Sequence, residues 1–130
     1  MTVVWTNGCF DILHVGHLAM LEYAKSRGHF LVVGVDADTR VSNNKGETRP
    51  YNMLEDRMRI LRALECVDEV VSYKSDEELC QHIEYWKIDL MVVGEEYDGK
   101  IVVGSDTTEV DYFPRIGLHS STGLINALRI

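Results

Sequence analysis

Long apolar runs, pairable cysteines and an excess of positive charge are all missing from this chain. No apolar stretch approaches the roughly 18–20 residues that span a bilayer. Cys9, Cys66 and Cys80 are odd in number, widely spaced and form no C-x-x-C pair, which argues against a disulfide framework. Three reduced, partly buried thiols are expected instead. No basic segment followed by an apolar core opens the chain, so no export signal is read and a cytoplasmic location is expected. The formal net charge of −8 argues against a general nucleic-acid or anionic-membrane binder. No internal repeat, low-complexity tract or linker interrupts the sequence.

What is present is an ordinary globular composition, 45% apolar and 26% charged over 130 residues. That length fits one domain, residues 1–130, with a full hydrophobic core. The cations are unevenly placed. Of 13 Lys and Arg, six fall between positions 40 and 62: Arg40, Lys45, Arg49, Arg57, Arg59 and Arg62. An acidic chain that gathers its cations in one segment is a candidate for a local anion site. A solvated helix face is the plain alternative for Arg59 and Arg62.

Val3–Trp5 reads as a buried strand, followed by a Gly-rich polar loop over 7–16. Leu18, Leu21 and Ala24 share one face of a helix over Gly16–Ser26. Phe30–Val35 is a continuous apolar run of strand length, as expected where both faces are covered. Asp36-Ala37-Asp38 is suited to cap a short helix through Val41. Residues 42–51 read as a polar lid or binding loop. Asn52 is a cap for a helix over 53–64, with Leu54, Met58, Leu61 and Leu64 at helical spacing. A strand over Val67–Tyr73, a helix from Ser75-Asp76 with Leu79, Ile83 and Trp86 inward, and a strand over Asp89–Val93 follow. Residues 95–108 read as irregular, Glu109–Phe113 as a last strand, and Gly123–Arg129 as a closing helix. The alternation predicts an α/β fold: a Rossmann-like, doubly wound parallel sheet of about five strands with helices on both faces.

The first strand–helix junction carries the chemistry: Gly8-Cys9-Phe10-Asp11-Ile12-Leu13-His14-Val15-Gly16-His17. Ligands of open parallel sheets bind at such junctions. A helix N-terminus offers free N–H groups and partial positive charge to a phosphate. Gly16 would let a ligand approach the backbone, and imidazoles there can stabilise charge on a phosphorus in transfer. Two incidental turn histidines are the bland alternative. Zinc would need a third ligand, and only Asp11 is near.

That ten-residue stretch, with G-x-F-D and H-x-G-H together, resembles the signature of the HxGH nucleotidyltransferases, in particular the cytidylyltransferase-like group. The group includes glycerol-3-phosphate cytidylyltransferases and the adenylyltransferases that make ADP-heptose. The resemblance continues through Lys45, Arg49-Pro50, Glu55-Asp56-Arg57, Leu64–Val70, Val93–Lys100 and Pro114-Arg115. It ends at Ser120-Ser121-Thr122, which is similar to a closing R-x-x-x-x-S-T-T motif with one serine for threonine. Residues 116–119 read Ile-Gly-Leu-His where the cytidylyltransferases usually have Thr-Glu-Gly-Ile.

The resemblance implies that His14, His17, Lys45 and Arg115 are catalytic. It implies nucleotide contacts from Gly8, Cys9, Phe10, Gly16, Gly94, Glu95, Glu96, Ser120, Ser121 and Thr122. Asp11, Lys45 and Arg57 would contact the acceptor. Mg²⁺ would accompany the triphosphate, with no dedicated protein metal site, and a homodimer is expected. Read without it, Ser120–Thr122 is an ordinary N-cap and Arg57 a surface arginine.

The implied reaction is transfer of CMP from CTP to a small phosphorylated polyol of the glycerol-3-phosphate type, with release of pyrophosphate. The alternative is transfer of AMP from ATP to a sugar 1-phosphate of the heptose type. A nucleotide-holding module without turnover is a third possibility. Pro114-Arg115-x4-Ser120 and Gly94–Lys100 look more like the glycerol-phosphate enzymes. Gly8–His14, Arg49-Pro50 and Leu64–Asp68 look more like the heptose enzymes. The balance leans narrowly to CTP.

Overall fold

A computed structural model describes residues 1–114. Arg115, His119, Ser120, Ser121, Thr122 and the expected helix over Gly123–Arg129 lie outside the described residues. The described elements are β1 (Val3–Gly8), α1 (Val15–Ser26), β2 (Phe30–Asp36), α2 (Asp38–Lys45), α3 (Leu54–Arg62), β3 (Glu69–Tyr73), α4 (Asp76–Tyr85), β4 (Leu90–Gly94) and β5 (Glu109–Phe113). One 3₁₀ turn, Glu95–Tyr97, follows β4.

The five strands form one sheet in the order β3-β2-β1-β4-β5, and every pairing is parallel. The fold is therefore the Rossmann-like α/β arrangement expected from the alternation. β1 and β2 run in register from Val3↔Phe30 to Gly8↔Val35. Strands are added on one side as far as β3, and the chain then returns past β1 to lay down β4. The order reverses between β1 and β4, which makes their C-terminal ends the switch point where ligands of such sheets bind.

Period-two alternation splits each central strand between two cores. Val4, Leu31, Val33, Val35, Leu90 and Val92 face Leu21 and Ala24 of α1 and Leu61 of α3. Trp5, Val32, Met91 and Val93 face Leu79 and Ile83 of α4. Gly34 makes room for the indole: a Cβ built there would sit 2.4 Å from Trp5 Cζ2.

The local differences from the sequence reading have physical causes. β1 extends to Gly8 because its whole length pairs with β2. α2 runs through Lys45, so the expected loop over 42–51 begins only at Gly46. Leu18, expected inward, is 38% exposed, while Leu21 and Ala24 are fully buried. Asn52 does not cap α3. The cap residue is Met53, which makes no side-chain cap bond, and the free N–H of Leu54 is instead taken by Asp38 Oδ1 at 2.9 Å.

Arg57 carries the largest correction. Expected at the acceptor or on the surface, it is 1% exposed. Its Nε donates to the Asn52 carbonyl at 2.9 Å. Its Nη1 donates to the carbonyls of Cys9 and Asp36, both at 2.8 Å. Its Nη2 meets Asp38 Oδ1 at 2.7 Å. One guanidinium thus ties the loop after β1, the end of β2 and the starts of α2 and α3 together. Removing it leaves several buried carbonyls without donors. Arg57→Met is expected to lower unfolding free energy by on the order of 3 kcal/mol, measured by urea denaturation. A loss under about 1 kcal/mol would show that the knot is dispensable.

Candidate active site

A cleft of about 470 Å³ opens over the C-terminal ends of β1, β2, β3 and β4. It is lined by Asn7, Gly8, Cys9 and Phe10 from the end of β1 and the loop after it, by His17, Met20, Asn44 and Lys45 from α1 and α2, and by Val93, Gly94, Glu96 and Tyr97 from the end of β4 and the turn after it. Asp36, Arg40 and Tyr73 line its far end.

The two histidines form a reciprocal cap on α1. His14 is the N-cap residue, and its Nδ1 accepts the Gly16 N–H at 3.1 Å. His17 Nδ1 accepts the N–H of His14 at 3.2 Å. The rings lie against each other with centroids 3.9 Å apart. An acceptor Nδ1 requires the neutral ring to carry its proton on Nε2. The helix backbone therefore selects the tautomer that can donate outward. Burial, then the neighbouring His14 and Lys45, hold the His17 pKa down at about 4. Gly16 serves this cap through its N–H rather than lining the cleft.

The loop that leads to the pair is held under backbone strain. Phe10 and Ile12 have φ of 53° and 47°, a left-handed conformation that costs most residues about 1–2 kcal/mol. Two anchors hold it there. One is the Arg57 bond to the Cys9 carbonyl. The other is Asp11, whose carboxylate accepts the N–H groups of Tyr51 at 2.6 Å and Asn52 at 2.9 Å. Arg49 Nε lies 3.5 Å from the same carboxylate. Asp11, expected to touch the acceptor, lines the cleft and also braces the 46–53 loop against the 9–14 loop. Burial pushes the Cys9 thiol pKa up, so it is a neutral wall group and no nucleophile.

The run of six cations resolves into separate roles. Arg49 and Arg57 are buried. Arg40 is held by Asp76 at 2.8 Å and Asp36 at 3.5 Å. Arg59 and Arg62 lie exposed on α3. Lys45, the last residue of α2, lines the cleft near His17. Of the expected site residues, the structure brings together Gly8, Cys9, Phe10, Asp11, His17, Lys45, Gly94 and Glu96 around one cleft. Glu95 is outside that lining. Asn7, Asp36 and Tyr73 were not anticipated, and Arg40 was named only within the run of cations. Asn7, Asp36 and Tyr73 lie at or near the C-terminal ends of β1, β2 and β3, which is the signal that would have found them.

Residues 5–114 match the model of the cytidylyltransferase-like domain. The chain belongs to the cytidylyltransferase-like family. Family members are nucleotidyltransferases, which is the class the histidine pair pointed to. The chain is 45% identical over 129 residues to the bifunctional protein HldE of Campylobacter fetus, a match covering 98% of this chain and 28% of that protein. It is 50% identical over 104 residues to the bifunctional protein HldE of Sulfurimonas denitrificans, covering 80% and 22%. This family member thus spans about a quarter of the length of those relatives. The crystal structure of the lipopolysaccharide core biosynthesis protein of Thermoplasma volcanium superposes with a TM-score of 0.72 at 25% identity, covering 92% of this chain and 99% of that one. Pantothenate synthetase of Thermus thermophilus shares the fold, with a TM-score of 0.67 at 16% identity over 95% of this chain and 61% of that one. No described helix is long and apolar enough to cross a membrane.

The depressed His17 pKa predicts a pH effect with a definite sign. Unfolding returns the ring to its ordinary value of about 6.5, so the unfolded state binds the extra proton first. His17 therefore costs stability as pH falls from about 6.5 to about 4, and none above that window. An NMR titration of the His17 ring is expected to show a midpoint near 4. His17→Ala should flatten this part of the stability–pH curve.

Proposed function

We propose that this domain is an adenylyltransferase: it moves AMP from ATP to the phosphate of a sugar 1-phosphate of the heptose type and releases pyrophosphate. The observation that carries the transfer chemistry is the capped, closely packed His14–His17 pair at the start of α1, with His17 and Lys45 lining the cleft near each other. A phosphate oxygen of the acceptor attacks the α-phosphorus. The bond from that phosphorus to the oxygen bridging the β-phosphate breaks, and pyrophosphate leaves with the electron pair. The nucleophile is already anionic at neutral pH, so no general base is required. Positioning and charge stabilisation supply the rate. His17, kept neutral with a proton on Nε2, donates to the oxygens of the phosphorus in transfer. Lys45, close enough to His17 to help lower its pKa, neutralises phosphate charge beside it.

ATP and a sugar acceptor are favoured over CTP and a polyol for two reasons. Relatives at 45% and 50% identity are bifunctional HldE proteins, and the solved neighbour is named for lipopolysaccharide core biosynthesis, a saccharide. Within the chain, Gly8–His14, Arg49-Pro50 and Leu64–Asp68 resemble the heptose adenylyltransferases. The lean to CTP drew partly on Arg115 and Ser120, which lie outside the described residues. In this reading Arg115, Ser120, Ser121 and Thr122 meet the β- and γ-phosphates, and Gly94 and Glu96 lie near the base.

Among the described residues no group of three or more His, Cys, Asp or Glu is disposed to hold a metal. Magnesium is part of this reading and would be held chiefly by the triphosphate, as is usual for that ion. Bound there, it would draw charge off the leaving pyrophosphate. A homodimer is part of the same reading.

Pyrophosphate release by the purified chain, with ATP or CTP against heptose 1-phosphate and glycerol 3-phosphate, tests the proposal. Turnover is expected with ATP and the sugar. Turnover only with CTP and glycerol 3-phosphate would overturn the base and acceptor. Nucleotide binding without release from any pair would overturn transferase activity in this chain. His17→Ala is expected to cut kcat by roughly 100-fold or more with an unchanged circular dichroism spectrum.

A further inference from the structure

Lys45 stands at the end of a short helix. α2 has 8 residues, Asp38–Lys45, and a helix of two turns is marginal without support from outside. Its buried residue is Val41, near its start. From Asn43 to Thr48 every residue is exposed. Lys45 nevertheless lines the cleft and lies close enough to His17 to act on its charge. The last turn of α2 must therefore be held in place by bonds rather than by packing.

Those bonds converge on Ser42. Its carbonyl accepts the N–H of Gly46 at 2.9 Å, which closes the helix at a residue with φ of 103°. Its hydroxyl lies 3.0 Å from the Asp38 carbonyl and 2.9 Å from the Arg49 carbonyl, and the two acceptors share its one hydrogen. The first contact is the ordinary back-bond of a serine within a helix. The second leaves the helix and crosses to the far side of the turn. Arg49 is a fixed point there. It is buried, lies beside the Asp11 carboxylate, and donates its N–H to the Gly46 carbonyl at 3.1 Å. Two residues further on, Asp11 accepts the N–H of Tyr51. One hydroxyl thus links the exposed end of α2 to the part of the loop that Asp11 anchors.

We propose that Ser42 is a positioning residue for Lys45: its hydroxyl, bonded to the Arg49 carbonyl, pins the last turn of α2 to the braced loop and keeps the Lys45 ammonium group at the cleft beside His17. This rests on the role given to Lys45 above. Ser42 lies outside the cleft lining and acts through the lysine.

The test is a double-mutant cycle on the whole chain with two readouts. One is the NMR titration midpoint of the His17 ring, which needs no turnover. The other is kcat with ATP and heptose 1-phosphate. Ser42→Ala removes the hydroxyl without weakening the helix by propensity, since alanine is the best helix former. Lys45→Gln removes the charge. Burial, then His14, then Lys45 hold the His17 midpoint down, so Lys45→Gln is expected to raise it and Ser42→Ala to raise it in the same direction. The other ionisable groups lining the cleft, Cys9, Asp11, Asp36, Arg40, Glu96 and the phenols Tyr73 and Tyr97, are the same in every variant. Ser42→Ala is expected to lower kcat roughly tenfold, as misplacement of a reacting-site group does. In the double variant neither readout is expected to move beyond Lys45→Gln alone, because residues that act through one another do not add. Ser42→Thr keeps the hydroxyl and is expected to stay near wild type. Ser42→Val has nearly the same shape without it and is expected to follow Ser42→Ala. A wild-type midpoint and kcat in Ser42→Ala, effects that add to those of Lys45→Gln, or a wild-type midpoint in Lys45→Gln would overturn the inference. A chain inactive with every substrate pair would overturn the transferase reading instead, and the His17 midpoints would still judge Ser42.

Discussion

The Arg57 guanidinium is the point on which the working end of this domain depends. It sits in the interior beside the mouth of the sheet and bonds carbonyls from three separate stretches and one carboxylate. None of those stretches is held there by sheet pairing alone. The loop after β1 carries two residues with positive φ, a conformation that persists only where surrounding bonds over-determine it. Arg57 supplies one such bond and Asp11 supplies the others through Tyr51 and Asn52. A planar, permanently charged fork with five donors suits the task. A lysine, with three donors on one point charge, could not span the same acceptors in that geometry.

What this scaffold positions is a pair of imidazoles whose chemistry is decided by the helix below them. Each ring gives its Nδ1 lone pair to a backbone N–H of the first turn of α1. The helix start thereby satisfies two of its unpaired donors and sets the Nε2 protonation of both rings at once. Burial, then the nearby His14 and Lys45, keep His17 uncharged through the neutral range. Structural capping therefore leaves both Nε2 positions as donors, the groups that the proposed phosphate contact would use. In the same cleft Tyr73 packs in the core beside Trp5, and Asn7 bridges the two, accepting from the indole and donating to the Tyr73 hydroxyl.

Much of this was legible beforehand. The apolar runs at Phe30–Val35 and Leu90–Val93 read directly as central strands, because strands covered on both faces need unbroken apolar sequence. Ser75 was read as a helix start and does cap α4, accepting the Glu78 N–H. The histidine pair was legible because its spacing and the flanking strand and helix are local. The roles of the cations were not. Arg40, Arg49 and Arg57 look alike in the sequence, and their partners Asp76, Asp11 and Asp38 lie between 19 and 38 positions away. Charge density in a segment says nothing about which of its members folding will neutralise. Leu18 and Asn52 failed for a related reason: helical spacing and cap chemistry describe what a residue can do, while neighbouring elements decide whether it does so.

The sequence by itself determined the alternation of strands and helices, the parallel sheet that follows from it, and the strand-to-helix junction at residues 8–17 with its two histidines. These depend on residues close together in the chain, where spacing fixes geometry. The tertiary structure alone decided that Arg57 and Asp11 serve the fold, that Lys45 lines the cleft, and that Asn7, Asp36 and Tyr73 meet at its far end. Those three residues come from β1, β2 and β3 and are up to 66 positions apart. Sheet order brought them together, and sheet order is a property of long-range pairing that no local pattern contains.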